Sequence, residues 1–104
     1  MRAETLKGHL DGLVLATLAA GPAHGYAVIE ELKRRSGGAF DLPEGTVYPV
    51  LHRLEAEGLL ASEWSSDSGR KRRVYRLTRR GRSALTGRRR DWQLFAGAVE
   101  AVLG

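Results

Sequence analysis

The sequence predicts a mainly α-helical fold with one β-hairpin. Three observations predict it. Residues 6–57 contain three segments whose apolar side chains recur with a helical period. Two short strand-like runs follow, joined by a polar link that contains glycine. Residues 79–104 then return to a helical pattern.

The first helix is expected over residues 6–19. Leu6, Leu10, Leu13, Val14, Thr17 and Leu18 form one stripe, and Gly21-Pro22 ends it. A second helix runs from His24 to Arg35, with Tyr26, Ile29 and Leu32 facing inward. Glu30 and Glu31 precede Lys33, Arg34 and Arg35, which places the cations at the negative end of the helix dipole. Gly37-Gly38 stops the helix, and residues 39–42 connect it to the next.

The third helix spans Pro43 to Glu57. Pro43 suits a first-turn position, and Gly58 closes the helix. Val47, Val50, Leu51 and Leu54 turn inward. The other side presents Gly45, Pro49, His52 and Arg53, flanked by Thr46 and Tyr48. Gly45 permits close backbone approach, and the helix N-terminus offers N–H groups to a phosphate. Thr46 and Tyr48 suit phosphate oxygens; His52 and Arg53 suit base edges or phosphates.

Leu59–Trp64 and Arg72–Thr78 read as strands, with Trp64, Val74 and Tyr75 as packing residues. The link between them brings Arg70, Lys71, Arg72 and Arg73 to the tip and descending edge. Thr78 caps a last helix that runs to Leu103. Leu85, Trp92, Phe95, Val99 and Val102 fit a heptad seam, with Arg88 in one of its slots. Gly81, Gly87 and Gly97 each weaken this helix by roughly 1 kcal/mol relative to Ala. The seam therefore calls for a partner, most naturally the same helix of a second copy. Three helices followed by a hairpin give a winged helix-turn-helix, here with a C-terminal dimerisation helix. The expected division is residues 1–78 for the winged helix and 79–104 for the dimerisation helix, within one compact domain.

Charge narrows the function. The 104 residues carry a net charge of +5. Residues 1–69 hold 6 basic and 10 acidic side chains, whereas residues 70–104 hold 11 basic and 2 acidic. All the basic residues of the second part lie between Arg70 and Arg90, with no acid among them. A polyanion is the expected partner, and guanidinium forks suit phosphate. There is no cysteine, which excludes disulfides and thiolate chemistry. His9, His24 and His52 lack metal-ligand spacing, and no phosphate loop or nucleophile elbow is present. No catalytic residue, metal or cofactor is expected. The longest apolar run, Leu13 to Ala20, is far short of the roughly 18 residues a membrane span needs. Residues 1–10 lack the apolar core of a secretory signal, so a cytoplasmic location is expected.

Three runs carry a family resemblance: H-G-Y-A-V-I-E-E-L (24–32), L-P-E-G-T-V-Y-P-V-L-H-R-L-E-A-E-G-L-L (42–60) and G-R-K-R-R-V-Y-R-L-T-R-R-G (69–81). The chain resembles the PadR family of bacterial transcriptional regulators from residue 10 to residue 85. The resemblance implies a homodimeric repressor released by an effector. It implies a third helix in the major groove, with contacts around Gly45, Thr46, Tyr48 and Pro49, and a wing whose Arg and Lys side chains touch the flanking backbone. It also implies that Trp92 lines a pocket for a small aromatic or other effector between subunits. The Arg88–Arg90 triplet suits an acidic effector. Many members carry a larger C-terminal helical domain; here a single helix is expected.

The expected function is thus a sequence-specific DNA-binding regulator acting on a pseudo-palindromic operator. The alternative is a winged-helix module that binds a ligand or a protein without specific DNA recognition. Arg70–Arg73, with no acid nearby, discriminates between them, because a protein-binding wing has no need of that cluster.

Overall fold

The computed structural model describes residue 6, residues 8–66 and residues 69–104. Helices α1 (Leu10–Ala19), α2 (Gly25–Arg35) and α3 (Glu44–Ala56) precede the hairpin β2 (Leu60–Ser65) and β3 (Arg72–Leu77). Helix α4 (Arg79–Leu103) follows, and a two-residue strand β1 (Ala23–His24) lies between α1 and α2.

Helix α1 starts later than expected. Gly8 takes φ +87°, a left-handed turn that ends any helix through residue 6. Val14, Leu15, Thr17 and Leu18 are buried, and the Thr17 hydroxyl donates to the Val14 carbonyl at 2.8 Å. Strand β1 was not foreseen. Two residues carry no readable period, yet Ala23 pairs with Tyr75 and His24 with Val74. The sheet order is therefore β1-β3-β2, with β3 central.

His24 lies outside the helix and caps it: its Nδ1 accepts the Ala27 N–H at 3.2 Å. The buried face of α2 is Gly25, Val28, Ile29 and Leu32. Tyr26, expected inward, is 54% exposed. One residue past Gly25, its side chain is rotated about 100° off that face. Gly25 is glycine for a steric reason, since a Cβ there would stand 2.7 Å from the Tyr48 ring. This close approach docks α2 onto α3.

Pro43 is the N-cap of α3 rather than a first-turn residue. Val47, Leu51 and Leu54 are buried. Pro49 lies inside the helix with open space around Gly45, one turn earlier. Gly58 at φ +81° ends the run as expected.

The hairpin register pairs Leu60 with Leu77, Ser62 with Tyr75 and Trp64 with Arg73. The Thr78 hydroxyl accepts the Gly81 N–H at 3.0 Å and caps α4. Gly81 does more than weaken the helix, for a Cβ there would run into the Leu59 carbonyl. Leu85 is 4% exposed and belongs to the protomer's own core. Little of its surface is left for a second copy to cover. Beyond it α4 projects, and the long axis of the molecule reaches 53 Å.

Candidate nucleic-acid interface

Helix α3 and the hairpin wing enclose an open cleft of about 670 Å³. Glu44, Tyr48 and His52, spaced by four residues, form its helix wall. Arg70, Lys71, Arg72 and Arg73 form the wing wall. Of the residues singled out in the sequence, Tyr48, His52 and these four cations are brought together. Gly45 and Pro49 are exposed on the adjacent stripe of α3, and Thr46 is half-buried. The Tyr48 ring lies edge-on to His52, with centroids 6.4 Å apart.

Arg53 is placed elsewhere. Its guanidinium donates to both oxygens of Asp11 on α1 and to Glu57 at 3.3 Å. These carboxylates hold it on the far side of α3 from the cleft. Asp11 also accepts from Arg88 of α4 at 3.3 Å, and Arg88 donates to the Gly8 carbonyl at 3.2 Å. Arg88 is thus a tether between helices.

The wing cations differ in their freedom. Arg73 donates to Ser62 at 2.7 Å, and Ser62 donates to Glu55 of α3 at 2.6 Å. This chain fastens the wing to α3. Arg70 and Lys71 are exposed. Arg72 approaches His24 Nε2 at 2.8 Å, while His24 Nδ1 holds the cap of α2. A neutral imidazole accepts at only one nitrogen, so His24 serves the cap or Arg72, not both. Burial, and then the Arg72 charge, hold the His24 pKa below its ordinary 6.5. An anion in the cleft that draws Arg72 away leaves the cap bond uncontested.

Six cleft-lining residues are not among the site residues that the sequence suggests: His24, Gly25, Tyr26, Glu44, Trp64 and Tyr75. Trp64, expected to pack, is 59% exposed. Strand alternation alone put it on the inner face; only the tertiary arrangement shows that the core ends before it.

A second concavity, of about 880 Å³, lies between α1 and α4. Leu13, Ala16, Phe40, Trp92 and Phe95 line it, with Arg88 and Arg89 beside them. The His9 ring meets Trp92 edge-on at 5.4 Å. Trp92, Phe95 and Val102 are 53%, 56% and 86% exposed, and Leu94 and Leu103 add to the apolar surface. Val99 is half-buried. Among the described residues, no cluster of His, Asp and Glu is placed to hold a metal ion, and no helix is long and apolar enough to cross a membrane.

A helix-turn-helix with a cationic wing defines a DNA-binding protein of the winged-helix class. The sequence profile of the transcriptional regulator PadR-like family matches residues 14–87, and the chain belongs to that family. It is a DNA-binding transcriptional regulator, and the family's members are regulators, not enzymes. Transcriptional regulator Rv3488 of Mycobacterium tuberculosis is 48% identical over 86 residues, covering 83% of this chain and 78% of that protein. The structure of a PadR family regulator from Eggerthella lenta is 35% identical, with a TM-score of 0.84 over 96% of this chain and 86% of that one. A regulator from Clostridium thermocellum shares the fold with a TM-score of 0.89 at 22% identity, over 98% of this chain and all of that one.

Proposed function

We propose that the chain is a cytoplasmic repressor that binds a pseudo-palindromic operator as a homodimer and leaves it when an effector binds. Residues 1–78 form the DNA-binding unit and residues 79–104 the dimerisation helix. One observation carries the reading: the exposed side of α3 and four wing cations border a single cleft. In this reading Gly45, Thr46, Tyr48, Pro49 and His52 enter the major groove, while Arg70, Lys71 and Arg72 take flanking phosphates. Arg73 and Arg53 act mainly as struts, because carboxylates already engage them.

The seam comprises Trp92, Phe95, Val99 and Val102. Two-fold symmetry through it presents two α3 helices to half-sites roughly 34–36 Å apart. The effector pocket is the cavity beside Trp92. Its apolar wall and the neighbouring Arg89 suit a small aromatic molecule, above all one bearing an acid.

The test is selection of bound sequences from random duplex DNA, followed by titration of the selected site at increasing salt. A symmetric site, bound far more tightly than random DNA, is expected. Recovery of no preferred sequence overturns specific regulation, and the same preference from a strictly monomeric protein overturns the dimer.

A further inference from the structure

We propose that Trp64 is a duplex-contacting residue, its indole packing on a deoxyribose of the DNA strand that runs along the wing side of the cleft. The proposal rests on the reading above that the cleft holds DNA.

Register places Trp64 on the inner face of the wing. Ser62 and Tyr75 oppose each other on that face, as do Trp64 and Arg73 one pair further out. Tyr75 is 1% exposed, and Ser62 bonds to Glu55 of α3, so this face packs on the recognition helix. Trp64 lies one step beyond the packed region and borders the cleft at 59% exposure. A lone exposed apolar side chain is ordinary on a protein surface; what sets this indole apart is its place on the wall of a concave cleft, under two cations.

Its neighbours identify the occupant. Arg73 stands over the ring at 5.3 Å and Lys71 at 5.9 Å. Arg73 is fixed by Ser62, which steadies the indole. An apolar protein partner would bury Lys71, Arg70 and Arg72 without counter-charges, at high cost. A free anion would use the cations and ignore the ring. A nucleic-acid strand alternates a charged phosphate with a sugar that has an apolar face, and so satisfies both. In an intact duplex the bases are stacked, leaving the sugar as the group an edge-on wing can reach. Glu44 on the opposite wall repels phosphate there and keeps the strand on the wing side.

The test combines anisotropy titration of a fluorescein-labelled duplex, selected or random, with acrylamide quenching of tryptophan emission. Trp64→Ala should weaken binding to both duplexes by about the same factor, roughly tenfold for the apolar area lost. The salt slope should not change, because no cation is removed. Trp64→Phe should recover most of the affinity and fold as wild type. Duplex should shield wild-type emission from acrylamide, and that shielding should vanish in Trp64→Phe. Undiminished shielding in Trp64→Phe assigns it to Trp92 and overturns the proposal. So does wild-type affinity in Trp64→Ala. A reduced salt slope in Trp64→Ala also overturns it, since the ring then only positions Lys71 and Arg73. If the wild-type protein binds no duplex at low salt, the regulator reading and this proposal fall together; if it binds with Trp64 unshielded, only this one falls.

Discussion

Asp11 of α1 and Arg53 of α3, 42 residues apart, form a two-pronged ion pair, with Arg53 Nη1 at 3.0 Å from one carboxylate oxygen and Nη2 bonded to the other. The Asp11 side chain is 17% exposed and also receives Arg88 of α4. One carboxylate thereby ties the recognition helix and the projecting helix to α1. Neutralising it removes the charge that both guanidinium groups share and leaves Arg53 with Glu57 and Arg88 with the Gly8 carbonyl. We expect Asp11→Asn to lower stability by about 1–2 kcal/mol, after discounting for the exposure of both arginines. A double-mutant cycle with Arg53→Gln, read by urea unfolding at fixed protein concentration, should give a coupling of about 0.5–1.5 kcal/mol. Additive effects would contradict the pair.

Recognition and anchoring should separate on different variants. Thr46→Ala and Tyr48→Phe, the latter keeping the ring that docks on Gly25, alter the side of α3 assigned to the groove, so each should weaken operator binding by roughly tenfold, with a smaller loss on random DNA. Arg70→Ala and Arg72→Ala should weaken both alike and reduce the salt slope by about one ion each. Arg53→Ala should act through stability, because its guanidinium is already committed to Asp11 and Glu57. Anisotropy titrations at several salt concentrations distinguish the three patterns. An equal loss on every sequence from the α3 variants would remove base readout from that helix.

Glycine substitutions in one helix should have opposite signs. At Gly81 a Cβ meets the Leu59 backbone carbonyl, which cannot give way without moving the base of the hairpin. At Gly87 nothing lies within 4 Å. Gly81→Ala should therefore destabilise by about 2–4 kcal/mol, while Gly87→Ala should stabilise by about 0.5–1 kcal/mol through helix propensity. Thermal melting of the two variants is the check. A stable Gly81→Ala protein would mean that α4 does not start where its Thr78 cap places it.

These contrasts show which features could be read from the chain. Helices α2 and α3 were legible because Ile29, Leu32, Val47, Leu51 and Leu54 repeat with a period that core packing enforces. The ring of Tyr26 fits that pattern loosely, but Gly25, with no side chain to count, makes the contact. Strand β1 is too short to show alternation. Of the site, the wing cations were visible as a charge run. The Asp11–Arg53 pair was not, because nothing local links positions 42 residues apart. For Trp64 the reason is related: alternation gives the face of a strand but not where the covering helix ends.

Acid should weaken the fold in two steps. His24 has its pKa lowered from 6.5 by burial and then by Arg72. In the window just below 6.5 the unfolded chain binds a proton that the folded chain refuses, so stability falls as pH drops through it. Protonation also removes the Nδ1 acceptor that caps α2. Glu31, bonded by Arg34 and Arg35, is lowered from 4.5 to about 2. Its contribution is present above 4.5 and is lost as pH falls towards 2. His24→Asn keeps a capping side chain without the titration. It should flatten the first step of a urea-midpoint profile and leave the second. An unchanged first step would clear His24 of any role in it.

The projecting helix offers the sharpest separation between fold and assembly. Phe95 is 56% exposed in the protomer, so a carboxylate there stays solvated in a single chain but is buried in the proposed seam. Burying an unpaired charge is costly, and Phe95→Glu should shift the protein to monomers in sedimentation equilibrium with its helix content intact. Operator affinity should then drop towards the random-DNA level, because two half-sites are no longer held by one particle. Leu85→Ala, by contrast, hollows the protomer's own core and should cost about 2–5 kcal/mol in unfolding experiments. A Phe95→Glu protein that remains dimeric would place the subunit contact on another surface, and would remove the reason α4 keeps an apolar face in water beyond Leu85.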